Sequence, residues 1–209
     1  MYTGIVQGSY ALQQVVEKPG LKTLIVDFPP VLLEDLAIGA SVGFDGVCLT
    51  VTVIDGSQVS FDVMQQTLDV TTLGAVNAFD KVNIERSAKQ GVEVGGHIVS
   101  GHVDGMAEVV NIEQPENNRF VTYRLPVDKM KYVFDKGFIA LNGCSLTMAK
   151  VDREACEVTV CYIPETLRVT THGDKQCGDK VNFEVDRQTQ AIVDTVENML
   201  ASNPSLLKR

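Results

Sequence analysis

Short runs in which apolar and polar residues alternate dominate the chain, and clusters of Gly, Asp and Asn separate them. Alternation is the period of a half-buried strand, and those separators are turn residues. Runs of strand length, rich in β-branched and aromatic side chains, lie at 22–28, 59–64, 81–86, 107–112, 119–125, 157–163 and 180–185. Helical pieces are predicted at 30–36 and 126–134, with turns or single helical turns behind a threonine at 67–73 and 166–171. Near the end the period changes. Ile192, Val193, Val196, Met199 and Leu200 fall at helical spacing with Asp194, Glu197 and Asn198 opposite, which predicts an amphipathic helix over 189–201.

The pattern repeats. Asp-Gly-Val-Cys-Leu-Thr-Val-Thr at 45–52 returns as Asn-Gly-Cys-Ser-Leu-Thr-Met at 142–148, with Cys48 to Ser145 and Thr50 to Thr147 each 97 residues apart. Gly4-Ile5-Val6 matches Gly101-His102-Val103 at the same offset, while Thr67-Leu68, Thr71-Thr72 and Val82-Asn83 match Thr166-Leu167, Thr170-Thr171 and Val181-Asn182 at 99. Markers kept in one order at a nearly constant offset mean two homologous halves, and so long a period means duplicated domains rather than a solenoid. About six short strands per half argue a small closed antiparallel barrel for each, with a Greek-key order expected although periodicity cannot fix it. The reading is all-β: residues 1–87 and 98–187 form the barrels, 88–97 a linker, and 188–209 a C-terminal helix and tail. Neither half has a copy of that helix, so its apolar stripe needs a cover; self-association is the expectation and docking on its own barrel the alternative.

Composition narrows the function. With 209 residues, 44% of them hydrophobic, each half can bury a proper core, and a formal charge of −9 lacks the basic patch of a nucleic-acid binder. The sequence opens directly into motif, with no signal peptide, and no apolar run approaches membrane-spanning length. Five cysteines, odd in number and never spaced Cys-x-x-Cys, fit a cytoplasmic protein with reduced thiols. The three histidines have no metal-ligand spacing with a Cys or Asp, so no metal site is readable.

Along a strand, Cys48 and Thr50 point one way and Leu49 the other; Ser145, Thr147 and Leu146 repeat the arrangement. Each half thus offers two small polar groups on one face beside a glycine. His102 replaces Ile5 of the first half and sits between Gly101 and Gly105, where backbone can approach closely; a satisfied structural histidine is the plainer alternative. His97 and His172 lack such context and read as structural. Cys48 alone would read as a buried filler, since nothing electropositive accompanies it to favour a thiolate. Asp62, Glu165, Asp186 and Lys136 are candidate polar contacts, with solvated surface charge the alternative.

Longer strings carry a resemblance. Met-x-Thr-Gly-Ile-Val at 1–6, Gly-Val-Cys-Leu-Thr-Val-Thr at 46–52 and Gly-Gly-His-Ile-Val-Ser-Gly-His-Val-Asp-Gly at 95–105 resemble the riboflavin synthases of the alpha-chain type. Ile-Pro-Glu-Thr-Leu at 163–167 and Asp-x-Gln-Thr-Gln-Ala-Ile-Val-Asp-Thr-Val-Glu at 186–197 do so as well. The resemblance implies two six-stranded Greek-key barrels related by a pseudo-twofold axis, with a C-terminal helix that assembles a homotrimer. It implies dismutation of two molecules of 6,7-dimethyl-8-ribityllumazine to riboflavin and 5-amino-6-ribitylaminouracil, without metal or cofactor. Lumazine synthase is a further expected partner.

Residue by residue, the resemblance implies a first-barrel site of Gly4, Ile5, Val6, Cys48, Leu49, Thr50, Asp62, Val63, Met64, Gln65, Gln66 and Thr67. The second-barrel site would use Gly101, His102, Val103, Lys136, Ser145, Leu146, Thr147, Ile163, Pro164, Glu165, Thr166, Leu167 and Arg168. His102 is the expected base for the acidic C7 methyl, Ser145 and Thr147 hold the donor lumazine, Cys48 and Ser41 assist at the acceptor, and Asp186 orients or relays. The sequence departs from the family at Tyr2, usually Phe, and at Asp45 and Asn142, where the usual Asn and Asp are exchanged. The rival reading is a non-catalytic lumazine- or flavin-carrying antenna protein of the same family, against which stands the retention of both doubled motifs.

Overall fold

The computed structural model describes residues 1–116 and 118–203. The first half runs β1 (Gly8–Lys18), β2 (Leu21–Asp27), α1 (Pro30–Leu33), β3 (Ser41–Phe44), β4 (Val47–Asp55), β5 (Gln58–Met64), α2 (Gln65–Val70), a 3₁₀ turn (Thr72–Ala75) and β6 (Lys81–Arg86). The second runs β7 (Gly105–Glu113), β8 (Arg119–Arg124), a 3₁₀ stretch (Val127–Tyr132), β9 (Phe138–Leu141), β10 (Cys144–Asp152), β11 (Glu157–Tyr162), α3 (Pro164–Val169), a 3₁₀ turn (Thr171–Gly173) and β12 (Lys180–Val185). Helix α4 (Arg187–Ser202) follows. Each half closes into a six-stranded antiparallel barrel, in the matching Greek-key orders β1-β2-β5-β4-β3-β6 and β7-β8-β11-β10-β9-β12. The change of offset from 97 to 99 has one source: Gly56-Ser57 joins β4 to β5, whereas residues 153–156 join β10 to β11. The predicted helix at 126–134 is a 3₁₀ stretch, and the one at 30–36 is shorter than expected.

Inward-pointing alternate residues fill the barrels. Phe44 and Phe61 meet at 4.4 Å between ring centroids in the first. In the second, Tyr123 and Tyr162 are fully buried and join hydroxyls at 2.8 Å, so neither buried oxygen is left without a partner. Buried apolar side chains fill each interior among the described residues, so the outward positions of the strands are the ones open to a ligand.

The seam is built on the repeated turns. Gly46 and Gly143 have φ of +81° and +78°, and a Cβ on Gly46 would lie 2.7 Å from the Gly143 nitrogen. Only glycine fits where two turns stack back to back. The residues before them hold the seam: Asp45 Oδ1 accepts from Asn83 N–H at 2.8 Å, and Asn142 Oδ1 accepts from Asn182 N–H at 2.7 Å. The asparagines then cross over, Asn83 Nδ2 donating to the Asn142 carbonyl and Asn182 Nδ2 to the Asp45 carbonyl. Asp45 and Asn142 are therefore turn-and-seam residues that accept equivalent hydrogen bonds in the two halves. Burial pushes the Asp45 carboxyl up to about 7 against the Asn83 hydrogen bond and the distant pull of Lys175.

Helix α4 begins at an Asp186 N-cap and lies partly on its own barrel. Val193 packs on the second core, and Asp194 accepts from the Tyr132 hydroxyl at 2.6 Å. Ile192, Val196 and Met199 stay 64%, 48% and 55% exposed. The expected stripe is thus divided between the barrel and solvent; residues 204–209 of the expected tail lie outside the described residues. Among the described residues, no helix is long and apolar enough to cross a membrane.

Candidate functional site

The doubled motif lies on the outer faces of the barrels. On β4, Val47, Leu49 and Val51 are buried while Cys48 and Thr50 face outward, and on β10 Leu146 and Met148 are buried while Ser145 and Thr147 face outward. Ser41 pairs with Thr50 across β3 and β4, and Phe138 pairs with Thr147 in the second barrel. Pairing of Val51 with Phe61 brings Asp62 and Met64 of β5 onto the same outer face as Thr50 and Cys48. Leu49, Val63 and Leu146, expected at the sites, turn into the cores and can offer a ligand only backbone groups.

Each outer face is covered by chain from the other half. Cys48 N–H donates to the Gly101 carbonyl at 2.8 Å, and Ser145 N–H donates to the Gly4 carbonyl at 2.8 Å. A Cβ on Gly101 would come within 2.7 Å of Cys48 Cβ, and one on Gly4 within 2.4 Å of Ser145 Cβ, so both positions require glycine. Val6 joins the second core and Val103 packs on the first. This corrects the expected grouping. Gly4, Ile5 and Val6 belong with the second barrel's Ser145, and Gly101, His102 and Val103 with the first barrel's Cys48. The segments cross at an antiparallel bridge between Tyr2 and Val99, and each is tethered to its own half. Glu85 accepts from Thr3 N–H and Oγ1, both at 2.7 Å, and Glu184 accepts from Ser100 N–H at 2.7 Å and Gly101 N–H at 3.0 Å.

The second site has a histidine that was read as structural. His97 Nδ1 lies 2.6 Å from Ser145 Oγ, which also accepts from His97 N–H at 3.1 Å, and the ring stacks on Phe138 at 5.3 Å. Burial lowers the His97 pKa, against the attraction of the Asp186 carboxylate, so the ring is neutral near pH 7. Asp186 is itself held below the usual carboxylate range: its partial burial works the other way, but the hydroxyl and N–H of Thr189, the N–H of Gln188 and nearby His97 outweigh it. The signal for His97 was the Gly-Gly before it, because a Cβ on Gly96 would meet Ser145 Cβ at 2.6 Å. His172, read the same way, is structural: it is wholly buried, with Nε2 3.0 Å from the Leu141 carbonyl.

At the first site His102 is exposed on the loop over Cys48, and the Tyr2 ring lies beneath. The buried Tyr2 hydroxyl has no well-formed hydrogen bond; burial, with the adjacent Cys48 thiol, raises its pKa. Gln65, Gln66 and Thr67 begin α2 after Met64, and Ile163, Pro164, Glu165, Thr166, Leu167 and Arg168 lead through α3 in the matching place. Asp62 accepts from Thr23 Oγ1 at 2.7 Å, and Glu165 pairs with Arg168 at 2.6 Å on the exposed face of α3. Lys136, at φ +65°, is exposed on the turn before β9. Exposed apolar side chains border both faces, Met64 at the first and Ile5, Phe138 and Ile163 at the second. A groove of about 600 Å³ runs between the N-terminal segment and residues 85–95 and is lined by Thr3, Ile5, Glu85 and Lys89; Cys48 and Ser145 lie outside it. Both sites are open shelves, each with a flat apolar border and a polar pair.

The lumazine-binding domain model matches twice, at residues 3–87 and 100–186. The riboflavin synthase of Escherichia coli K12 is 47% identical over 100% of this chain and 98% of its own length, and that of Chlamydia pneumoniae is 41% identical over 97% and 98%. Among solved structures, LumP complexed with riboflavin superposes with a TM-score of 0.82 at 27% identity, covering 90% of this chain and 100% of that one. The duplicated motif, the paired outer-face shelves and whole-length similarity converge: this chain belongs to the riboflavin synthase family.

Proposed function

We propose that the two shelves are half-sites of one reaction, each holding one lumazine. The activity is riboflavin synthesis by dismutation: one 6,7-dimethyl-8-ribityllumazine gives a four-carbon unit to another, leaving riboflavin and 5-amino-6-ribitylaminouracil. Two identical substrates call for two similar sites, and the observation that carries the reading is the repeated outer-face pair, Cys48 with Thr50 and Ser145 with Thr147. Backbone groups and threonine hydroxyls read the amide edge of the flat ring, and the bordering apolar side chains cover its faces.

The proposed roles follow the geometry. On the first shelf His102 takes the proton from the C7 methyl, whose carbanion spreads into the ring, while Cys48, Thr50 and Ser41 hold the heterocycle. On the second, Ser145 or a water it holds adds at C7 of the other lumazine, its proton passing to neutral His97, with Thr147 holding the ring and Asp186 steadying the imidazolium. The carbanion then attacks the second molecule. Holding two rings face to face supplies the larger share, since good orientation is worth roughly 7–11 kcal/mol.

In this reading the productive pair forms between the first shelf of one protomer and the second shelf of its neighbour in a homotrimer. Support comes from the open shelves and from the uncovered Ile192, Val196 and Met199 face of α4. A cytoplasmic setting and association with lumazine synthase complete the proposal, the latter checked by co-sedimentation. Mixing purified protein with the lumazine tests the function: one riboflavin per two lumazines consumed supports it, and bound fluorescence without turnover would return the antenna-type reading.

A further inference from the structure

The loop that carries His102 covers the first barrel, yet what holds it comes from the far end of the chain. Arg187, the first residue of α4, donates from Nη2 to the His102 carbonyl. Its Nη1 reaches Asp104 Oδ1 at 3.0 Å and Gln190 Oε1 at 2.6 Å, and its Nε lies 3.5 Å from Ser100 Oγ. Asp104 is fixed in turn: its side chain is 8% exposed and Oδ2 accepts from Val185 N–H at 2.9 Å. The His102 ring has no hydrogen bond among the described residues, so its backbone sets where it points. A planar guanidinium grips several acceptors at once and loses little freedom in doing so.

We propose that Arg187 is a positioning residue for the first shelf, clamping the His102 carbonyl and tying it through Asp104 to the start of α4. The proposal rests on His102 as the base.

The test is a double-mutant cycle in the full-length protein with Arg187→Ala, Arg187→Lys, His102→Gln and the Arg187→Ala/His102→Gln pair. It is read as turnover of the lumazine together with hydrogen exchange of the 99–104 peptide. Arg187→Ala is expected to lower kcat about tenfold with KM within about twofold, and to add less than about twofold on the His102→Gln background, because coupled residues are non-additive. Exchange at 99–104 rises while that of the peptide around His97 is unchanged, and Arg187→Lys restores part of the rate. Wild-type turnover in Arg187→Ala, unchanged exchange at 99–104, or losses that multiply on the His102→Gln background overturn the proposal. A slow His102→Gln beside an unimpaired Arg187→Ala removes the Arg187 role alone. A His102→Gln that turns over normally removes the base reading, and the Arg187 role with it.

Discussion

The two shelves share a backbone and differ in how each keeps its histidine. On the second, His97 is buried, stacked on Phe138 and joined to Ser145; on the first, His102 is exposed, with Ser41 where the second barrel has Phe138 and Cys48 where it has Ser145. Duplication thus supplied the frame, and divergence was confined to outward side chains and the crossing segments. That suits a reaction in which like molecules must be treated unlike, one losing a proton and the other accepting an addition.

The largest effect is expected at the His97–Ser145 pair. Ser145→Ala and His97→Gln should each lower turnover by about 10²-fold or more, the range for positioned acid–base groups, and the double variant should be little worse than the slower single. Steady-state assays check this, and independent, multiplying losses would show that the two side chains do not act as a unit.

Second comes the seam, where the copies differ by Asp45 against Asn142. Asp45 holds its proton to about pH 7 in the folded chain but only to about 3.8, the ordinary value of an aspartate, when unfolded. The folded state therefore binds more protons between those values, and stability falls as pH rises through them, by at most ~1.4 kcal/mol per unit. Asp45→Asn keeps the oxygen that accepts from Asn83 and makes the seam symmetric, so the decline between about pH 4 and 7 should flatten in urea titrations. Equal slopes in variant and wild type would contradict this.

Smaller effects should follow from making the first shelf resemble the second. Cys48→Ser is expected to keep turnover within a few-fold, since a hydroxyl serves at Ser145, whereas Cys48→Ala should lose roughly tenfold if hydrogen bonding is the role. Tyr2 occupies the place of Val99, and its hydroxyl is buried without a good partner. Tyr2→Phe should therefore raise stability by about 1 kcal/mol, measured by thermal melting, with turnover nearly unchanged.

Much of the architecture was legible because a duplicated chain states its pattern twice. The runs at 81–86 and 180–185 coincide with β6 and β12, and the amphipathic spacing marked α4. β1, β3 and β9 escaped: β3 and β9 are four residues long, too short to establish a period, and β1 is interrupted by a bulge between Leu12 and Gln14. The crossing of residues 1–6 and 99–103 escaped for a deeper reason. Alternation reports which face of a strand is buried but not which barrel buries it, so the Gly4 and Gly101 segments were grouped with the wrong halves. His97 was passed over because its partner, Ser145, is 48 residues away, although Gly95-Gly96 marked a close backbone approach.

The pairing of unlike shelves across protomers is tested most directly by complementation. Protein carrying Ser145→Ala is co-refolded with protein carrying His102→Gln, each nearly inactive alone. Mixed assemblies place an intact first shelf from one chain beside an intact second shelf from another, so turnover should reappear in proportion to the mixed species. If the mixture stays as slow as its parents, although mixed assemblies form by native mass spectrometry, the two lumazines are not brought together across a subunit contact.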